Sequence, residues 1–306
     1  MTTEPAQDPA ISLIRFLKTC KVPTGKKPTF TRMQGGRNGK IYVPDEKREE
    51  FLDIWSAAYP SLPPAFNLVP QVQTRKMPFT VDLDVFTSLD TDPPDLDTEN
   101  LVEFATVLLG VVDKDKGRDY VVLITRKDEP YKKTKTVAGV KLTGWKTGAH
   151  IYIAHYTAET EDKTKLWSKK YMTQVRNLFY AEGDMNAFCE GMDLLEPIDN
   201  VWDEGVARKD QWPMLLGSEK PDTNTGGPPK PYWMGMFDGT TCQNAVEQDE
   251  LLKQFSDDEG RRAWFGILYD SIWGPGGEDT TTAMVSTTQK PAPKKKKTAP
   301  KKKKTA

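Results

Sequence analysis

The stretch MPFTVDLDVF, residues 77–86, decides the fold, because its apolar and polar residues alternate strictly. In an extended chain, Phe79, Val81 and Val85 project to one side, whereas Asp82 and Asp84 project together to the other. The stretch therefore predicts a β-strand with one buried face and one acidic face.

Further strand and helix patterns flank this stretch on both sides. Strands are predicted at TFTR (29–32), KIYV (40–43), DYVVLITR (119–126), GAHIYIAH (148–155), WPMLLG (212–217) and PYWMGMF (231–237), and helices at 11–17, after Pro44, at 101–112, at 166–180 and within 246–273. The Lys-rich segment KKTKTVAGVKLTGWK (132–146) is predicted to be a linker. This order of strands and helices predicts a mixed α/β fold, in which helices cover a sheet.

Composition excludes several classes of protein. Of 306 residues, 43 are Lys or Arg, 44 are Asp or Glu, and 37% are hydrophobic, so the chain is polar but still large enough to bury a core. No run reaches the roughly 18 apolar residues of a membrane helix, and the first residues lack the pattern of a secretory signal. Three distant cysteines and two histidines make no ordinary zinc cluster, so we expect an intracellular protein in a reducing compartment.

The net charge of −1 hides a basic end on an acidic body. Residues 290–306 hold nine Lys and no acid, which leaves 34 basic and 44 acidic residues in residues 1–289, a net charge of −10. We expect this tail to be disordered, because it has no apolar periodicity with which to pack. Its Lys blocks suit attraction to a polyphosphate or nuclear import, and the alternative is a merely solubilising end.

Asp82 and Asp84 are the first candidates for chemistry, because residues i and i+2 of a strand share a face. Two neighbouring carboxylates suit divalent metals: Mg²⁺ takes one or two carboxylates together with phosphate oxygens, and a pair of ions can stabilise both oxygens of a phosphoryl or nucleotidyl transfer. The alternative is a solvated strand face with two unremarkable acids.

His150 is the second candidate, since it shares the polar side of GAHIYIAH with Gly148 and Tyr152. A histidine there can donate a hydrogen bond to a phosphate, and Lys146 supplies another cation four residues earlier. The alternative for His150 is a packing role, which we assign to His155 on the opposite face.

A third segment, PIDNVWDEGVARKDQWPMLLGSEKP (197–221), combines acids, cations and a Gly-Ser turn. Its candidates are the acids Asp199, Asp203 and Asp210, the cations Arg208, Lys209 and Lys220, and the turn at Gly217 and Ser218. A third carboxylate would complete a metal-binding set, and the turn with Lys220 could hold a triphosphate. The alternative is a charged surface loop. Motifs for ATP motors, hydrolase elbows, zinc proteases and dinucleotide binding are missing.

The order of these segments resembles the archaeo-eukaryotic primase superfamily, specifically the primase domain of primase-helicases of poxviruses and nucleocytoplasmic large DNA viruses. That family has a hydrophobic-Asp-hydrophobic-Asp strand, a Lys-x-Gly-x-His strand, and a hydrophobic-Asp segment leading to a Trp and a Gly-Ser-x-Lys-Pro turn. The corresponding segments are PFTVDLDV, KTGAHIYIA and VWDEGVARKDQWPMLLGSEKP. With TFTRMQGGRNGKIYVP upstream, the resemblance spans about residues 28–240.

The resemblance assigns a role to each candidate. Asp82, Asp84 and Asp203 would be the catalytic metal ligands, with Asp199 as the rival to Asp203. Nucleotide-binding residues would be His150, Lys146, Arg208, Ser218 and Lys220. One extra residue before Gly217 departs from the family pattern, at the approach to Ser218 and Lys220.

The resemblance also implies the architecture: a sheet like that of an RNA-recognition fold, joined to a smaller amino-terminal αβ unit, with the acids in the cleft between them. We expect an amino-terminal extension at 1–27, the primase catalytic domain at 28–275 and the Lys-rich tail at 276–306.

The implied activity is that of a DNA primase, which makes primers on single-stranded DNA by transferring nucleotides from nucleoside triphosphates with two Mg²⁺ or Mn²⁺ ions. Template affinity would come from local lysines (Lys132, Lys133, Lys135 and Lys141) and the tail. A separate helicase is a possible partner, and the expected location is a viral replication site or the host nucleus. The alternatives are a primase-polymerase that extends existing primers, a non-catalytic nucleic-acid-binding module, and a metal-dependent phosphohydrolase.

Overall fold

The computed structural model describes residues 8–34, 37–62, 66, 68–70, 76–77, 79–112, 120–127, 129–155, 167–205, 230–237, 241–246 and 248–269. The helices are α1 (Pro9–Thr19), α2 (Arg48–Ala58), α3 (Thr98–Val112), α4 (Lys169–Ala181), α5 (Asp184–Phe188), α6 (Gln248–Ser256) and α7 (Asp258–Leu268). The strands are β1 (Phe30–Gln34), β2 (Arg37–Ile41), β3 (Val69–Pro70), β4 (Lys76–Met77), β5 (Phe79–Thr87), β6 (Tyr120–Arg126), β7 (Tyr131–Val137), β8 (Val140–His155), β9 (Trp167–Ser168), β10 (Lys230–Phe237) and β11 (Cys242–Val246).

A six-stranded antiparallel sheet carries the candidate residues. Its strands follow the order β11-β10-β6-β8-β5, and β7 pairs with the remaining part of β8. The side chains of Val81, Leu83 and Val85 on β5, like those of Ile151 and Ile153 on β8, are fully buried. Since side chains alternate across a strand, the acids and His150 share the opposite face.

The chain order around this sheet follows a split β-α-β-β-α-β pattern. After β5, α3, β6, β8 and α4, the chain returns along the free edge of β5, where Leu83 forms an isolated antiparallel bridge with Trp202. On the buried face, Phe104 of α3 packs against Phe179 of α4, with 4.8 Å between ring centroids, and both rings contact Trp202. With its apolar face covered by these helices, the sheet has its other face free to carry polar groups.

The amino-terminal elements form a smaller αβ unit that includes the last two helices. Asp8 caps α1 by accepting a hydrogen bond from the backbone of Ala10, and the strand order of the small sheet is β2-β1-β3. Arg261 of α7 donates to the carbonyl oxygen of Ser56 on α2 at 3.1 Å. Buried apolar residues from both ends of the chain therefore share one core, for example Leu13 and Phe265.

The structure confirms the mixed α/β fold, but it corrects one element. Residues 132–146, predicted as a linker, form the hairpin of β7 and β8. Lys and Thr alternate in residues 133–136, which suits a strand with polar groups on both faces. Ala138 and Gly139 have positive φ values of 48° and 84°, as a tight hairpin turn needs. The predicted strand at 212–217 and the Lys-rich tail lie outside the described residues.

Among the helices that the structure describes, none combines the length and apolar character that a membrane span requires. Cys20 and Cys189 are buried free thiols, and Cys242 is half-buried.

Candidate active site

Asp82 and Asp84 lie on the polar face of β5, on the same side of the sheet as the polar face of β8. Asp82 pairs with His150 and Asp84 with Gly148 in the antiparallel register. The backbone oxygen of Asp82 and the backbone N–H of Asp84 bond to residues 203 and 201, on the edge of β5 away from β8. The pairs that Asp82 and Asp84 form with β8 are therefore of the close, non-hydrogen-bonded kind. The side chain of Asp82 therefore lies directly against that of His150, and the side chain of Asp84 lies against the backbone at Gly148.

His150 contacts Asp82 through its ring. Its Nε2 lies 3.3 Å from Oδ1 of Asp82, and its Nδ1 lies 3.4 Å from the hydroxyl of Tyr152. Burial, with a smaller contribution from the charge of Asp82, raises the pKa of Tyr152, so its hydroxyl keeps its proton. That hydroxyl can donate to Nδ1, and Nε2–H of the imidazole then faces the carboxylate.

Lys146 contacts the other acid, with its Nζ 2.7 Å from Oδ2 of Asp84. Burial disfavours the ammonium form of Lys146, but the charge of Asp84 and its hydrogen bond more than compensate, so the pKa of Lys146 is raised. Lys146 is thus a partly buried cation held on the acidic face.

Gly148 makes the close approach of β5 and β8 possible at Asp84. A Cβ atom at position 148 would lie 2.6 Å from the carbonyl oxygen of Leu83 and 3.2 Å from Oδ1 of Asp84. Only glycine leaves the carboxylate of Asp84 in its place, which gives a physical reason for the glycine of the Lys-x-Gly-x-His pattern.

Asp203 reaches the site through the backbone. Its N–H donates to the carbonyl oxygen of Asp82 at 2.9 Å, and the N–H of Asp84 donates to the carbonyl oxygen of Val201 at 2.7 Å. This pairing sets Asp203 opposite Asp82 across the edge of β5, on the acidic face. Its Oδ1 accepts a hydrogen bond of 2.6 Å from the N–H of Gly205.

Arg176 holds the segment that carries Asp203, and sequence reasoning missed this residue. Arg176 is only 6% exposed. Its guanidinium donates to the carbonyl oxygens of Trp202 and Asp199 and to the carboxylate of Glu204. An arginine on a helix reads as a surface residue, and its partners lie more than 20 residues away along the chain, so no local pattern reveals it.

An open cleft of about 980 Å³ runs beside the edge of β5. Its lining includes five carboxylates (Asp84, Glu196, Asp199, Asp203 and Glu204) and two cations (Lys135 and Arg176). Asp82, Lys146 and His150 lie beside this lining, on β5 and β8. An acidic cleft of this kind repels a polyanion unless cations enter with it.

The three predicted acids share a backbone neighbourhood, and two of them, Asp84 and Asp203, line the same cleft. Within the described ranges, no three His, Cys, Asp or Glu side chains are grouped so as to hold a metal ion. Carboxylate oxygens are the donors that Mg²⁺ and Mn²⁺ prefer, so the donor set fits these ions in kind, while Lys146 is the cation now held by Asp84. Asp199 lines the same cleft, and Arg208, Ser218 and Lys220 lie outside the described residues.

The fold and the order of acid, histidine and acid are those of a primase-type domain. Comparison with protein families matches residues 29–229 to the family described as "C962R protein N-terminal AEP domain", where AEP stands for archaeo-eukaryotic primase. The match covers more than half of the chain, so the chain belongs to this family. A search of the curated proteins found no match.

Proposed function

We propose that this chain is a DNA primase that makes primers on single-stranded DNA by metal-dependent, template-directed nucleotidyl transfer. The observation that carries the proposal is the acidic face on which Asp82 and Asp84 lie against His150 and Lys146, with Asp203 hydrogen-bonded beside them. Membership in the primase family supports the reaction class.

In this proposal Asp82, Asp84 and Asp203 hold Mg²⁺ or Mn²⁺. The bound ions would supply positive charge to the attacking 3′-hydroxyl and to the departing pyrophosphate. Asp203 is preferred to Asp199 because its N–H bonds to the backbone of Asp82, whereas the carbonyl oxygen of Asp199 accepts from Arg176.

The cations of the site bind the triphosphate of the incoming nucleotide. Lys146 keeps its ammonium charge because its pKa is raised, and His150 can present an N–H at the same face. Both groups are half-buried, so their hydrogen bonds to phosphate oxygens gain strength from the reduced contact with water. Arg208, Ser218 and Lys220 extend this set by resemblance.

The acidity of the cleft supports dependence on divalent ions. Five carboxylates face two cations in its lining, so a nucleoside triphosphate entering alone would meet a repulsive potential. Metal ions that enter with the nucleotide convert that repulsion into attraction.

The test is synthesis on a circular single-stranded DNA template with labelled nucleotides, with and without an annealed primer. A primase makes product without the primer, in Mg²⁺ or Mn²⁺ and not in EDTA. Product only from the annealed primer would indicate a primase-polymerase. Release of pyrophosphate or phosphate without strand growth would indicate a phosphohydrolase, and DNA binding without any turnover would indicate a non-catalytic module.

A further inference from the structure

The hairpin of β7 and β8 extends past the rest of the main sheet. On one side of β8, β6 pairs with residues 149–155 and β7 with residues 140–146. On the other side, β5 ends at Thr87, opposite Trp145. Residues 132–145, here named the arm, therefore form a two-stranded ribbon that reaches about 16 Å from Trp145 to the turn at about 3.3 Å per residue.

We propose that the arm is a single-stranded DNA-binding element that holds the template. This inference rests on the proposed function, because it takes the partner to be the template of that reaction. It adds a defined surface with its own orientation to the general expectation that lysines attract DNA.

The charge of the arm differs from that of the chain around it. Residues 131–146 contain five Lys and no acid, while residues 1–289 carry a net charge of −10. Cations concentrated in one projecting ribbon on an acidic body create a local positive potential, which attracts a phosphate backbone to that place.

One face of the arm is suited to contact a single strand. Lys132, Thr134 and Thr136 on β7 and Lys141 and Thr143 on β8 are all exposed. Ammonium and hydroxyl groups on this face can donate hydrogen bonds to phosphate oxygens.

Trp145 adds an aromatic group at the base of the same face. Its side chain is half-buried, and Nζ of Lys132 lies 5.1 Å from the centroid of its ring. Cations beside an aromatic ring are the combination with which proteins hold single strands without reading their sequence.

The opposite face of the arm fixes its orientation. Lys135 forms an ion pair with Glu196 and lies over the ring of Phe86. A Cβ at Gly144 would lie 2.3 Å from the carbonyl oxygen of Thr87 and 2.6 Å from Leu195, so the ribbon packs closely on the end of β5. A braced ribbon binds with less loss of conformational entropy than a loose loop.

The arm is continuous with the strand that carries the candidate nucleotide-binding residues. From Lys141 to His150, β8 runs nine residues, or about 30 Å. Because side chains alternate along β8, Lys141, Thr143 and Trp145 lie on the face opposite to Lys146 and His150. A single strand bound on the arm therefore reaches the active site past the edge of the ribbon.

The test is fluorescence anisotropy of a labelled 20-nucleotide oligodeoxythymidylate titrated with the full-length chain at several NaCl concentrations. Lys132→Ala/Lys141→Ala is expected to weaken binding roughly five- to twentyfold near 0.1 M salt and to reduce the slope of log affinity against log salt by about 1.4, since each phosphate contact on a single strand contributes about 0.7. Both side chains are exposed, so circular dichroism should show an unchanged fold. The matched control Lys18→Ala/Lys26→Ala removes two exposed lysines elsewhere and should bind like wild type.

Affinity and slope equal to wild type in the arm variant would overturn the inference. Lost affinity for an RNA oligomer with none lost for DNA would overturn the choice of partner. Synthesis by the chain with unchanged Asp82 and Asp84 separates the two proposals: an arm effect on binding in a chain that makes no product supports the arm alone, and synthesis without an arm effect on binding supports the primase alone.

Discussion

The ammonium of Lys146 lies 2.7 Å from Oδ2 of Asp84, so a cation of the chain itself occupies one of the carboxylates proposed to hold metal. A divalent ion that binds Oδ2 of Asp84 must displace that ammonium. The displaced Lys146 would then be free to turn toward the phosphates of a nucleotide, which ties metal binding to nucleotide binding in one pair of residues.

Replacing Lys146 by Met should therefore strengthen metal binding and weaken nucleotide binding. Without nucleotide, the ammonium no longer competes for Asp84, and an ion pair worth about 1 kcal/mol corresponds to roughly fivefold tighter Mn²⁺ binding. Calorimetric titration with Mn²⁺ alone measures this. Lys135→Met, which removes a cation of the same cleft that pairs with Glu196 instead, should change Mn²⁺ affinity less. Weaker Mn²⁺ binding in Lys146→Met would contradict the competition.

The same pair predicts how stability depends on pH. Because the pKa of Lys146 is raised in the folded chain, its contribution to the free energy of unfolding is fully present below its ordinary value of about 10.4 and is lost as the pH rises through the folded-state pKa. Urea unfolding from pH 7 to 11 should show a constant difference between wild type and Lys146→Met up to about pH 10 and a shrinking difference above it. A difference that grows above pH 10 would refute the assigned direction.

Removing Arg176 should cost both stability and activity. Arg176→Met leaves the carbonyl oxygens of Trp202 and Asp199 and the carboxylate of Glu204 without this buried donor, a loss of about 3 kcal/mol. Urea unfolding measures the stability, and nucleotide incorporation well below the melting temperature measures the activity.

Arg176→Lys is the informative companion, because lysine keeps the charge but lacks the planar fork of donors that joins three partners. It should recover little activity, since Asp203 depends on the position of this segment. Arg262→Met, which removes the half-buried partner of the exposed acids Glu49 and Asp53, serves as the control. Wild-type activity in Arg176→Met would show that the segment holds Asp203 unaided.

Gly148→Ala should displace Asp84. The added methyl would meet the carbonyl oxygen of Leu83 and Oδ1 of Asp84, so β5 and β8 must separate or the carboxylate must move, at a cost of about 1–3 kcal/mol. Gly144→Ala creates a comparable clash with the carbonyl oxygen of Thr87, away from Asp84. Nucleotide incorporation by folded samples of both variants should fall much further in Gly148→Ala, and an equal fall would attribute the effect to stability alone.

Much of the main sheet follows from its sequence. The alternation in residues 79–85 and in 148–155 is strict, and the structure pairs Asp82 with His150 on one face as that alternation requires. The patterns work because one face of each strand is buried among apolar residues and the other is not.

The hairpin at 131–146 was predicted as a linker because both of its faces carry polar residues. The half-buried face of β7 carries Lys133 and Lys135, so Lys and Thr alternate with no apolar period. A strand of this kind is indistinguishable from a charged linker until its partner strand is known. Thr134 and Thr143 meet across the ribbon at 2.9 Å between their hydroxyl oxygens, a contact that depends on a register set by the turn.

Contacts between residues far apart in the chain could not be predicted from the sequence either. The resemblance assigned Asp203, but no local pattern indicates that its N–H bonds to Asp82 or that Arg176 anchors its segment. The pairing of Lys146 with Asp84 is likewise a tertiary contact: the sequence identified the cation but not the acid that holds it.

Primer synthesis by Asp82→Asn/Asp84→Asn tests the central claim most directly. The double variant keeps the shape of both side chains and removes the charge that binds metal, while Asp90→Asn/Asp92→Asn removes two exposed acids just after β5 as a matched control. On single-stranded template with Mn²⁺, the account predicts that the first variant loses at least about 100-fold in rate, as expected when charge stabilisation in a transfer reaction is removed, and that the control retains wild-type rate. Equal synthesis by wild type and Asp82→Asn/Asp84→Asn would contradict it.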